Sequence, residues 1–156
     1  MSLKEKLQKL KENRTHETDW EARKNEWIRA TDELYGKIRT WFADLEGEYL
    51  TFSFHKKNIE EESVGTYEIN RLEIIFDDDD NAVIFDPVGT NIVSAYGRID
   101  FYLRGCKADK CMIVRFREDD GSYQWEILKG GNGKRRTKLE KDVLEKIMEA
   151  WIDEKI

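Results

Sequence analysis

WEARKNEWIRATDELYGKIRTWFADL, residues 20–45, decides the architecture. Trp20, Trp27, Leu34 and Trp41 recur every seven residues. At 100° per residue, Ile28, Thr31, Tyr35, Ile38, Phe42 and Leu45 join them in an arc of roughly 140°, while Gly36 falls on the far side. Thr18 and Glu21 form a capping box ahead of the stripe, Asp19 adds negative charge at the positive end of the helix dipole, and Gly47 can take the left-handed stop. The spacing predicts one long amphipathic helix over 18–46. Its apolar face is wider than a strict coiled-coil seam, so the expectation is a helix lying on its own domain's sheet. The same stripe, Trp20, Trp27, Leu34 and Trp41, also offers a route to a homodimer.

Working outward, residues 1–17 hold a short helix with Leu3, Leu7 and Leu10 on one side, then a break. Ser-Leu after the initiator has the pattern of a cloning remnant. A helix this short is marginal alone and must dock or fray. Beyond Gly47 the hydrophobic period drops from 3.6 to 2, as Leu50, Phe52 and Phe54 alternate with Thr51 and Ser53. Asn58 to Val64 reads as a polar connection. Further strands are expected at 66–76, 82–85, 91–103, 111–117 and 122–128. Turn chemistry separates them at Asp77–Asn81, Asp86-Pro87-Val88-Gly89, Gly105–Lys110 and Asp119-Asp120-Gly121. Short connections require antiparallel neighbours. Residues 129–138 read as a basic glycine-rich loop. A second capping box, Thr137 with Glu140, opens a closing helix over 139–155. The class is α+β: a single domain with an antiparallel sheet of five to seven strands over 48–128, two N-terminal helices and one C-terminal helix.

The 156 residues carry 33 acidic and 27 basic side chains, a formal charge of −6 that repels nucleic acid overall. No apolar run approaches the ~20 residues of a membrane span. The charged N-terminus does not resemble a secretory signal, and two cysteines make no disulfide framework. A cytoplasmic, reduced protein is expected.

Two groups of residues invite chemistry. Lys129, Lys134, Arg135, Arg136 and Lys138 surround three glycines just before a helix N-terminus, an arrangement able to hold an anion or a nucleic-acid backbone. The P-loop glycine is missing, since Leu128 occupies its place. Alternation in the strand around Ile99 sends Arg98 and Asp100 to the face away from the core. Arg115 and Glu126, on what should be the next two strands, are expected to join them as a polar face capable of acid–base work. Asp100, Glu126 and Lys129 also suggest a nuclease, but Glu126 and Lys129 are three apart, which a regular strand sends to opposite faces.

The remaining motifs fail on inspection. Asp77–Asn81 resembles a calcium loop, yet Ala82 stands where an EF-hand needs glycine and Val88 where it needs glutamate. Cys106, Cys111, His16 and His55 match no zinc spacing, and no serine or cysteine is tied to His55 by recognisable spacing. No metal or cofactor is expected. The leading expectation is a non-enzymatic protein-interaction or regulatory module. Anion or nucleic-acid binding through 129–138, and an enzyme built on the Arg98/Asp100/Arg115/Glu126 face, are the alternatives.

Overall fold

The helical stripe and the alternating segments fold onto each other in the computed structural model, which describes residues 2–15, 19–76, 81–92, 94–129 and 135–154. Among them are three α-helices: α1 (Leu3–Thr15), α2 (Trp20–Trp41) and α3 (Lys141–Asp153). Seven strands form one antiparallel sheet: β1 (Leu50–Glu61), β2 (Gly65–Phe76), β3 (Ala82–Gly89), β4 (Arg98–Leu103), β5 (Cys111–Arg117), β6 (Tyr123–Lys129) and β7 (Arg135–Lys138). Their spatial order is their chain order, so every connection joins neighbours. The α+β class and the antiparallel sheet follow the sequence reading.

Helix α2 begins with Asp19 as its cap, its carboxylate accepting from the Ala22 N–H at 3.1 Å. Thr18, the expected cap, lies outside the described residues, as does the Asp77–Asp80 run. The α-helix ends at Trp41, and a 3₁₀ turn at Ala43–Leu45 carries the chain to Gly47, whose φ of +96° only glycine takes cheaply. Trp27, Ala30, Thr31, Leu34, Tyr35 and Ile38 are buried at helical spacing. They pack with Leu72, Ile74, Phe85, Ile99, Phe101 and Ile113 from one face of the sheet, and Leu144, Ile147 and Trp151 of α3 cover the same face. Burial of each large apolar side chain contributes about 1.5–3 kcal/mol, so this layer dominates stability. Trp27 and Leu34 are therefore consumed by the chain's own core, while Trp20 and Trp41 of the same stripe stay part-exposed.

Four expectations change. The segment Asn58–Val64 is mostly strand: β1 runs to Glu61 and pairs with β2 without a break from Leu50↔Phe76 to Glu61↔Gly65. Only Leu72–Ile75 of β2 also pairs with β3, so the outer half of the hairpin is a two-stranded ribbon held from outside the sheet. Tyr35 of α2 donates to the Asn70 carbonyl at 2.8 Å, and the Thr90 and Asn91 N–H groups donate to Glu61. Such ribbons twist strongly. The burial pattern records it: Leu72 and Ile74 are buried at one end, Tyr67 and Ile69 at the other, although continuous pairing puts the two sets on opposite faces.

Pro87 lies inside β3 rather than in a turn, opposite Ile99, next to a register shift between Pro87 and Gly89. Pairing with β2 stops at Phe85, so the missing proline N–H interrupts no ladder there. Strand β4 starts only at Arg98. Ahead of it, Ser94 has a positive φ of 61°. Finally, Arg135–Lys138 is strand β7 where a loop was expected. Thr137 pairs with Ile127 and cannot cap α3, whose N-cap is Glu140.

Candidate functional site: an apolar cleft between two helices

Helices α2 and α3 leave part of the sheet uncovered where α2 runs out. The 3₁₀ turn after Trp41 folds back through a Gly47 N–H to Leu50 carbonyl bond of 2.8 Å and a Tyr49 N–H to Leu45 carbonyl bond of 3.0 Å. That turn sets Phe42, Leu45 and Tyr49 as one wall of a cleft of about 750 Å³. Leu50, Phe76 and Leu103, at three strand ends, make the floor; Met148 and Ile152 of α3 make the opposite wall. Glu145 and Glu149 of α3 also line the cleft, Glu145 with Lys141 Nζ 3.8 Å away on the same helix. Tyr49 is 63% exposed and Ile152 38%, so apolar surface faces water here instead of closing over the core. No spacing in the chain pointed to it. Tyr49 sits in a turn that carries no period, Leu45 was read as the end of the helical stripe, and an unfilled gap between elements is invisible in either one's own pattern.

The polar sheet face is partly assembled. Arg98 Nε donates to Asp100 Oδ1 at 2.9 Å, and Lys110 Nζ lies 3.4 Å from Asp100 Oδ2. Arg115 does not join them. Ile113 pairs with Ile99, so Arg115, two residues on, points to the helical side, donates to Glu26 of α2 at 3.0 Å and stacks 3.8 Å from the Tyr123 ring. Glu126 is on the correct face, but Val114 stands between it and Arg98 in the strand register, and its carboxylate pairs with Arg136. The four groups do not converge.

Residues missed by sequence reasoning occupy the same face nearer β2. Glu73, only 8% exposed, accepts from Arg104 at 2.8 Å and lies 3.7 Å from Arg71 and 3.5 Å from His55. Lys57 donates to Asp86 and to the Pro87 carbonyl, both at 2.7 Å. Burial, then the nearby Asp86 charge, raises the Tyr102 phenol above its ordinary value. One signal was available, the lone charge of Glu73 inside the apolar run Leu72–Ile75. These ion pairs join β1, β2, β3 and β4 across the helix-free face.

The basic segment is likewise mostly engaged where it is described. Arg136 donates to Glu126 through Nε at 2.9 Å and lies 3.9 Å from the Phe116 ring, and Lys138 is 4.0 Å from Glu140. Lys129 and Arg135 are register partners at the β6–β7 end, and Lys134 lies outside the described residues. Cys111 is buried in β5, and that burial raises its thiol pKa. Among the described residues no three histidine, cysteine or acidic side chains gather as a metal site, and no helix is long and apolar enough to cross a membrane. Compared with protein-family models, curated proteins and solved structures, the chain matches none.

Proposed function

We propose that this chain is a non-enzymatic protein-interaction module that receives the apolar face of an amphipathic helix in the cleft between α2 and α3. The observation that carries the reading is the cleft's shape and chemistry: an apolar floor of sheet residues, one wall formed at the end of α2 and the other by α3, and carboxylates in the lining. A helix with its side chains is about 10–12 Å across, and helices pack at about 8–10 Å between axes, so a gap over a sheet with α3 as one wall and the turn after α2 as the other accepts another helix. Apolar surface left in water costs about 25 cal/mol per Å², which association recovers. Glu145 and Glu149 favour an occupant with basic residues flanking its apolar stripe, the pattern of helix-in-groove recognition.

The test is a titration of the full chain with amphipathic peptides of one leucine stripe and varied flanking charge, followed by methyl NMR. Shifts confined to Leu45, Leu103, Met148 and Ile152, stronger with lysine flanks than with glutamate flanks and weakened by salt, support the reading. Silence of those methyls at about 1 mM peptide, a concentration that reveals even −4 kcal/mol of binding, overturns it. Saturation by a small apolar probe with no response to any peptide overturns it too, because the cleft would then be a small-molecule pocket.

A further inference from the structure

The chain itself contains a helix of the kind this cleft accepts. In α1, Leu3, Leu7 and Leu10 are 72%, 54% and 52% exposed, a stripe at i, i+4 and i+7 that the rest of the fold leaves uncovered. A 13-residue helix gains little from its own hydrogen bonds and is stabilised by packing an apolar face. Its charge also fits. Residues 3–15 hold five basic side chains (Lys4, Lys6, Lys9, Lys11, Arg14) and two acidic ones (Glu5, Glu12), a formal +3, so the other residues of this −6 chain sum to −9. The cleft lining includes Glu145 and Glu149.

Reach decides which copy supplies the helix. The cleft begins at Phe42, which is 22 residues, about 33 Å, along α2 from Trp20. Laid straight back along α2, α1 places Leu10 about 7.5 Å and Leu7 about 12 Å from Thr15. The five steps from Thr15 to Trp20 add about 18 Å at full stretch. Leu10 then stops roughly 8 Å short of Phe42 and Leu7 roughly 3 Å short, while Leu3 reaches only about 3 Å past it, so the chain's own α1 cannot seat Leu7 and Leu10 in its own cleft.

Resting on the reading above, we infer that the occupant is α1 of a second copy, with Leu7 and Leu10 seated against Leu45, Leu103 and Ile152 and the lysines facing Glu145 and Glu149. Each copy offers one helix and one cleft, so a reciprocal exchange closes as a two-fold dimer.

Sedimentation of the full chain over a concentration series tests this. The expected result is a monomer–dimer equilibrium that salt weakens. Leu7→Asp with Leu10→Asp, exposed positions outside the core, should weaken it at least about tenfold without changing the thermal transition of a dilute monomer, and Ile152→Asp should do the same from the cleft side. Mixing the two variants restores one intact helix–cleft contact, so a heterodimer should form that neither variant gives alone. A full chain that stays monomeric at about 100 μM overturns the inference, as does a dimer indifferent to the α1 substitutions. If cleft methyls still respond to lysine-flanked peptides in those cases, the interaction reading stands and only the second copy is excluded. Should they be silent as well, both fall.

Discussion

The Trp27 ring lies so close to the Gly97 backbone that a β-carbon there would sit 2.2 Å from Cζ3. Trp27 is 0% exposed and its ring centroid is 6.0 Å from that of Trp125, so the ring has little room to retreat. The contact joins the middle of the tryptophan stripe to the residue just before β4. It also explains a glycine whose φ is not positive: Gly97 is required for close approach, not for a turn.

Gly97→Ala should therefore destabilise the protein by about 1–3 kcal/mol or more through overpacking. Gly36→Ala should do the opposite. A β-carbon at Gly36, inside α2 and facing solvent, meets nothing within 4 Å, and alanine there gains about 0.5–1 kcal/mol of helix preference. Urea midpoints for the two variants should move in opposite directions.

Arg115 and Glu26 should respond unequally to substitution. The Arg115 side chain is 8% exposed and that of Glu26 35%. Glu26→Ala strands a buried guanidinium and should cost about 2–4 kcal/mol. Arg115→Met leaves a carboxylate that can turn to water and replaces a buried charge with apolar volume, so its cost should be smaller. Chemical denaturation of both variants checks the order.

Arg23 ties α2 to Thr90 and Ala95, ahead of β4. Its Nη2 donates to the Thr90 carbonyl at 2.6 Å and the Ala95 carbonyl at 2.9 Å, its Nε donates to Thr90 Oγ1 at 3.3 Å, and the guanidinium packs against the Trp20 and Tyr96 rings. Lysine has neither the fork nor the plane for these contacts. Arg23→Lys should cost about 1–3 kcal/mol. Amide exchange should speed up first at Tyr96, whose N–H reaches the Arg115 carbonyl.

Stability should fall in alkali. Burial, then the hydrogen bond to Glu61 and that carboxylate's charge, hold the Tyr67 phenol well above its ordinary value, and burial with Asp32 and Asp86 acts likewise on Tyr35. The folded chain keeps protons that the unfolded chain releases near pH ~10, so their contribution is complete below that pH and is lost above it. Urea midpoints should hold steady from about pH 7 to 9 and decline beyond. Tyr67→Phe should lower the midpoint at pH ~8 and flatten the alkaline decline.

What the sequence determined by itself was each segment's periodicity. Trp27 to Trp41 had to be a helix with one buried side, and Leu50 to Phe54 a strand, because those spacings put apolar groups on one face in only one kind of backbone. Turn chemistry between short strands made them antiparallel neighbours. Tertiary structure decided which face and which partner. Pro87 sits within a strand because β2 has already left its side, and Ile59 and Tyr67 are buried because the two-stranded ribbon coils back onto the core. Arg115 turned to α2 because pairing Ile113 with Ile99 fixed the phase of β5. The cleft belongs wholly to this level: a gap between two helices is a relation between elements, and the periodicity of neither one encodes it.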